Sequence, residues 1–555
     1  MASTALAPPP TTTSLNDRVL FAASFLTLIA AGIGFSVRGA ILKDWGQQYG
    51  FTQSELGSIT GFALAFFGPA IILFSFLADV FGYGKIMLIA FVLHLLSAVV
   101  TLAAGPVFAM YGKEGAYWCL MVGMLLFSLG NGTCEAVINP LTATLFPNEK
   151  THRLNNLHAG WPAGLILGAL IVLGLTNVGE SIRWEVKLGI FLVPVFLYGF
   201  LMFNRPFPRS EASTSGVSLG QSLLVLLSPI LLFIFVLHAL VGYVELGTDS
   251  WITNITERVL NNGNYALAAF IWTNLLMCVL RFTAGPIVHK INPIGLLLIS
   301  AVLGCVGLAL LGMSFTDSIW PWVGAVTIYG VGKTFYWPTL LGVISERFPK
   351  GGALALGISG GIGMMSAGFF GGPGIGYKQD FFAVQKITES NPAAYDRYVG
   401  RDETGTPKPD AFPVLSKLLP DKLPPVAGLD NAKLKVMDDY GPIRAEAQKK
   451  ARGEKSDDKL QTTLQFDLSN LEKLKQNGKT VEPKLEEGLR AQQSWWETKG
   501  QPNYDADSKN LDEARVYGAK QALLYTAGVP AALAVGFLLL LLYFAATGGY
   551  KQVHI

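Results

Sequence analysis

Long apolar blocks alternate with short polar connections along almost the whole chain. Twelve blocks fall near 18–41, 54–78, 85–105, 116–146, 157–177, 185–203, 222–247, 264–288, 294–313, 319–345, 352–376 and 521–546. Each approaches the roughly 20 apolar residues a helix needs to cross a bilayer, and soluble cores do not need runs of that length. The blocks therefore predict transmembrane helices, numbered 1 to 12 in chain order. Residues 204–221, rich in Pro, Ser, Arg and Gly, read as a cytoplasmic linker. It separates an N-terminal six-helix bundle, 18–203, from helices 7–11 at 222–376; helix 12 and a short tail occupy 519–555. Residues 1–17, with Pro8-Pro9-Pro10 and a Thr run, lack the pattern of a cleaved leader and read as a flexible tail.

Segment 377–518 breaks the pattern, because it holds more than half of the chain's charged residues. Helix 11 leaves the cytoplasm, so this insert is expected outside the membrane. Its apolar residues, Phe381, Phe382, Val414, Leu415, Leu418, Leu419, Leu434, Leu464, Leu471, Leu474, Trp495 and Trp496, fit a small helical cap, and a partly disordered spacer fits the charge content equally. The expected fold class is thus an all-α membrane protein, with twelve transmembrane helices in two pseudo-symmetric six-helix bundles and a large extracytoplasmic insert between helices 11 and 12.

Composition agrees with this. Charged residues are 15% of the chain, against about 25% in soluble proteins. A net charge of +3 gives no reason to expect nucleic acid. Cys119, Cys134, Cys278 and Cys305 all lie in apolar blocks, so no disulfide framework is predicted. There is no metal-ligand spacing, no phosphate-binding Gly-Lys-Ser/Thr loop and no nucleophile–base pair, so neither a cofactor nor an enzyme is expected. Lys85, Lys150, Arg153, Arg205, Arg209, Lys290, Arg347 and Lys350 fall on the side that receives both termini, against Lys43, Lys113, Arg183, Lys187 and Arg258 opposite. The bias assigns both termini to the cytoplasm, for a monomer in the plasma (inner) membrane surrounded by lipid.

An internal repeat runs through the two halves. Gly34-Phe35 followed by Gly39 matches Gly242-Tyr243 followed by Gly247. Glu135 stands five residues before Pro140, as Lys333 does before Pro338. Phe146-Pro147 and Phe348-Pro349 close the two helices, followed by Lys150 and Lys350. The loops Asp79-Val-Phe-Gly82-Tyr-Gly-Lys85 and Gly285-Pro-Ile-Val-His289-Lys290 resemble, in degraded form, the short cytoplasmic motif of the major facilitator superfamily. That resemblance implies gating roles for Asp79, Lys85, Arg153 and Arg281.

Helix 4, Glu135-Ala-Val-Ile-Asn139-Pro140, resembles that of the fucose–galactose–glucose:proton symporter family. Arg153-Leu154-Asn155 ahead of Gly164, Arg281-Phe282-Thr283, Trp337-Pro338-Thr339-Leu340 and Gly360-Gly361-Ile362 with Pro373, Gly376 and Asp380 are similar to that family's helices 5, 8, 10 and 11. The sequence departs from it in helix 1, which offers Arg38 in place of an acidic residue, and at Lys333. In the fold so implied, helices 1, 4, 7 and 10 line a cavity.

Ionisable groups inside spans are costly and usually face a cavity or each other. Glu135 and Lys333 are accordingly expected to face one another, with Glu135 taking solute hydroxyls or a proton and Lys333 as its partner; a permanent structural pair is the alternative. Asn131, Asn139, Tyr243, Tyr336 and Trp337 are the polar and aromatic candidates for a sugar site. Arg38 either faces the cavity or snorkels, and Asp249 is assigned to the outer interface. The function read from these residues is secondary transport of a small polar solute, a sugar or sugar derivative, with protons as the coupling partner. Arg38 and Lys333 motivate an organic-anion carrier instead, and the insert motivates a non-transporting nutrient receptor or scaffold.

Overall fold

The computed structural model describes residues 14–555 apart from 50, 52, 179–181, 314–318, 403, 409–422, 458–459 and 477–482. Most of the tail 1–17 and the insert residues Val414, Leu415, Leu418 and Leu419 lie outside the described residues. Among the described residues the architecture is helical, with isolated β-bridges at Val399–Leu429 and Arg401–Pro407 in the insert and no strands.

Ten helices among the described residues are long and apolar enough to cross a membrane. Helix 1 is Leu15–Ala40, helix 3 Tyr83–Leu102, helix 4 Ala104–Leu145, helix 5 Lys150–Leu175 and helix 6 Trp184–Met202. Helix 7 is Pro229–Leu260, helix 8 Gly263–Arg281, helix 9 Ala284–Met313 and helix 11 Pro349–Ser390, while helix 12 ends the run Glu486–Ala546. The other two expected spans are helical but fall short of that measure. Helix 2 covers Gln53–Phe81, and Phe66–Phe81 is its apolar stretch among the residues whose side chains are described. Helix 10 is split into Ile319–Lys333 and Tyr336–Arg347.

Several observed ends differ from the sequence reading. Leu219–Leu226 is a separate short helix capped by Ser218, so helix 7 starts at Pro229 rather than at 222. Helix 11 runs through the expected boundary at 376 to Ser390, and Tyr504–Thr526 returns into Gly528–Ala546. The insert is therefore carried on two long helices. The first described residues and the C-terminal tail lie at the opposite end: Asn16 Nδ2 donates to the Pro206 carbonyl at 3.0 Å, and Gln552 Nε2 donates to that of Pro147.

Lipid is as apolar as a leucine side chain, so helices here are held by close approach rather than by the hydrophobic effect. Glycine contacts repeat between the halves. A Cβ on Gly164 of helix 5 would stand 3.0 Å from Gly32 Cα of helix 1, and one on Gly247 of helix 7 would stand 2.7 Å from Gly371 Cα of helix 11. Gly132 of helix 4 abuts Ala70 of helix 2, as Gly330 of helix 10 abuts Thr273 of helix 8. Pairings 1–5 and 2–4 thus recur as 7–11 and 8–10, the arrangement a duplicated bundle dictates. Gly68 against Gly361 and Gly285 against His152 then join one half to the other.

The insert packs around its own core of Ile387, Tyr398, Leu434, Val436, Met437, Leu464, Leu471, Leu489, Trp496 and Leu511. The described residues of this segment thus share a packed apolar core of their own. Arg397 makes a two-point ion pair with the fully buried Asp507, at 2.5 and 2.7 Å. Asp507→Ala strips a partly buried guanidinium of its charged hydrogen bonds and will destabilise this unit by about 2–3 kcal/mol. Limited proteolysis will show faster cutting within 391–503 and unchanged spans; equal cutting rates would contradict this.

Candidate functional site

Two prolines shape the centre. Pro338 has no N–H to give to the carbonyl four residues back, which frees Thr334 O and breaks helix 10. Pro162 frees His158 O in helix 5 in the same way. An orphaned carbonyl at membrane depth needs a donor. Arg281, at the end of helix 8 and 2% exposed, supplies both: Nε donates to Thr334 O at 2.8 Å and Nη1 to His158 O at 2.6 Å. Its Nη2 donates to Glu245 Oε1 of helix 7 at 3.0 Å. Arg281 therefore holds helices 5, 7, 8 and 10 together at the centre of the molecule. Arg281, for which the sequence implies a gating role, is buried among these four helices.

Glu135 lies in the same network. Asn139 Nδ2, one turn along helix 4, donates to its Oε2 at 2.7 Å and to its backbone carbonyl at 3.0 Å. With the amide nitrogen so engaged, Asn139 Oδ1 accepts from His158 Nε2 at 2.8 Å. A continuous polar line thus runs Glu135–Asn139–His158–Arg281–Glu245, with one carboxylate in each half. His158 enters twice, by its ring and by its carbonyl. Among the described residues no cation lies within ion-pair distance of Glu135, and it is 9% exposed.

The expected pairing of Glu135 with Lys333 is not what forms. Lys333 Nζ pairs with Asp249 Oδ1 of helix 7. Asp249, assigned to the outer interface, supplies the counter-charge of Lys333. The π-helical turn Tyr243–Gly247 inserts an extra residue into helix 7 and rotates the remainder of that helix, so that both Glu245 and Asp249 reach inward.

The remaining candidates divide. Trp337 sits edge-on to His238, ring centroids 4.6 Å apart, against Gly363, and His238 Nδ1 meets Ser359 Oγ at 2.5 Å. Tyr243 is held by Lys378 Nζ of helix 11 at 3.1 Å, and the same ammonium donates to Thr526 Oγ1 at 3.0 Å. Lys378 was hidden from the sequence reading by the boundary drawn at 376. Three candidates are committed inside their own bundles. Tyr336 donates to Ser300 O of helix 9 at 3.0 Å, and Asn131 Oδ1 meets His94 Nε2 of helix 3 at 3.1 Å. Arg38 neither snorkels nor faces a cavity: it is 1% exposed, lying 3.9 Å from the Phe127 ring centroid and donating to Ser97 Oγ at 3.2 Å.

Contacts between the halves gather at the end that bears the termini. Lys150 Nζ reaches Glu211 at 2.5 Å and Ser345 O at 3.2 Å. Thr151 donates through N and Oγ1 to Glu346 at 3.1 and 2.6 Å, and Asn155 Nδ2 donates to Thr339 at 3.0 Å. Asp79 stands at the amino end of helix 11, where its Oδ2 lies 3.1 Å from a Cβ built on Gly352, so a carboxylate faces the positive end of a helix dipole. Lys85 is exposed, and Arg153 pairs with its own neighbour Glu149 at 2.9 Å. The seam is closed at this end.

A sequence profile of the Major Facilitator Superfamily matches residues 23–372. The chain belongs to that superfamily. As a major facilitator protein it is a transporter rather than an enzyme. Its fold is similar to that of a proton:xylose symporter solved with 6-bromo-6-deoxy-D-glucose, at TM-score 0.57 and 16% identity over 65% of this chain and 88% of that one. It is also similar to the E. coli fucose:proton symporter, at TM-score 0.53 and 16% identity, covering 65% of this chain and 92% of the other. At such identities the likeness is one of fold. The family match ends at 372, ahead of the insert. No curated protein matches this major facilitator sequence.

Proposed function

We propose that this protein is a secondary active transporter that moves a sugar or sugar derivative by alternating access, coupled to protons. In this reading helices 2 and 10 complete twelve spans, the termini and closed seam are cytoplasmic in a plasma-type membrane, and the cap lies outside. The observation that carries it is Glu135: a buried carboxylate joined to the Asn139 amide and through it to the His158 imidazole, with no ion-pair partner among the described residues. Such a group binds hydroxyls or a proton, and Trp337 offers a flat apolar face for a sugar ring. The names of the two similar structures, both sugar:proton symporters, point to the same class.

The organic-anion alternative loses its support, since Arg38 is stacked within one bundle and Lys333 is neutralised by Asp249. Counterflow into liposomes loaded with D-xylose, L-fucose or D-glucose tests the reading, with gluconate and glucuronate as anionic comparators. Sugar exchange without sugar-acid exchange is expected; exchange of the acids alone, or of nothing, would overturn it. The receptor reading is tested by deleting 391–503, after which transport is expected to persist.

A further inference from the structure

The residues that follow helix 12 lie beyond the superfamily match at 23–372 and take no part in the polar line at the centre. We propose that residues 550–553 form a strap across the seam, pinning the end of helix 4 to the end of helix 10, and that this strap must lift before the seam opens there. The inference rests on the alternating-access reading above.

The turn that aims the strap is encoded locally. Helix 12 ends at Ala546, and Gly548 and Gly549 follow with φ of +97° and +88°, a region that costs a side chain but not a glycine. Gly549 N donates to Phe544 O at 2.7 Å, which closes the helix and turns the chain back. The Tyr550 ring then stands edge-on to Phe544, centroids 5.4 Å apart, and the Arg347 guanidinium lies over both rings.

Hydrogen bonds fasten the strap to each half. On the C-terminal half, Val553 N donates to Glu346 O at 2.8 Å, Arg347 Nη1 to Lys551 O, and the Tyr550 hydroxyl to Glu346 Oε2 at 2.6 Å. On the N-terminal half, Gln552 Nε2 donates to Pro147 O, just past the end of helix 4. A second link runs through Glu346 itself, which is buried at the end of helix 10. Its Oε1 accepts from Thr151 N and Oγ1 at the start of helix 5, where a carboxylate also meets the positive end of the helix dipole. Tyr550 on Oε2 fixes that carboxylate in the rotamer aimed at helix 5. The strap thus holds the other half directly through Gln552 and indirectly through Glu346. Helix 12 moves with the C-terminal half, so parting the halves here breaks the Gln552 bond or peels the strap away. Lys551 is exposed and engages the seam through its carbonyl.

Hydrogen exchange of the purified protein in nanodiscs tests this. The reporter is the set of amides 151–158 of helix 5, to which the strap makes no hydrogen bond among the described residues. A chain ending at Gly548 is expected to exchange these amides about fivefold faster, the scale of one hydrogen bond lost from the closed state. Gln552→Ala and Tyr550→Phe each give part of that rise, about twofold, and Lys551→Ala gives none. Wild-type exchange of 151–158 in the truncated chain overturns the proposal. So does a rise confined to 344–348, which would make the strap a local cover. Should the truncated chain fail to fold, wild-type exchange in Gln552→Ala overturns it. Sugar counterflow separates the two readings. Normal counterflow with unchanged exchange removes the strap and keeps the transporter, whereas faster exchange in a protein that moves no sugar sinks the sugar reading and leaves the strap standing.

Discussion

Glutamine in place of Glu135 will abolish proton-driven accumulation of solute. The side chain keeps its shape and can still meet Asn139, but it no longer takes up and gives back a proton at membrane depth. In liposomes with an imposed pH gradient, the accumulation ratio falls to about one, the value for equilibration without coupling. Counterflow, which needs no proton movement, is retained within a few-fold if Glu135 holds the solute by hydrogen bonds alone. Undiminished accumulation in Glu135→Gln would remove this residue from the coupling path.

The spans were readable because a bilayer sets a minimum apolar length, and that length is a property of the sequence alone. The repeat was readable for a similar reason: Glu135 before Pro140 and Lys333 before Pro338 keep their spacing whatever the packing. Which charges meet was not readable. Equivalent positions in the two halves suggested that Glu135 and Lys333 face each other, yet Lys333 reaches Asp249. The π-turn at Tyr243–Gly247 shifts the face that helix 7 presents, and no 3.6-residue periodicity anticipates it. Arg38 was missed from the other direction. A cation near a helix end was expected in water or in the cleft, but the Phe127 and Phe191 rings replace water as its surroundings. A usable signal did exist for Arg281. Pro162 and Pro338 each stand four residues after a carbonyl that must then find a donor, and a buried arginine on a neighbouring helix is the donor with enough reach.

Gly242→Ala will have the largest effect of any single methyl group added to the membrane core. Its Cβ would run into the carbonyl of Gly363, with Gly363 Cα 2.8 Å away, so backbone meets backbone and no flexible side chain can yield. Helices 7 and 11 must move apart, at a cost of about 3 kcal/mol or more for overpacking a rigid site. Thermal unfolding of the purified protein will show a Tm lower by several degrees, whereas Gly324→Ala, with nothing within 4 Å of its Cβ, will melt like the wild type. The damage reaches function through a short path. Gly363 also supports Trp337 and His238, at 2.7 and 3.0 Å from its own virtual Cβ, so displacing helix 11 shifts the aromatic face proposed for the sugar ring. Folded Gly242→Ala protein is therefore expected to lose most counterflow as well. A variant that both melts and transports like the wild type would mean that these two helices do not approach as closely as their glycines allow.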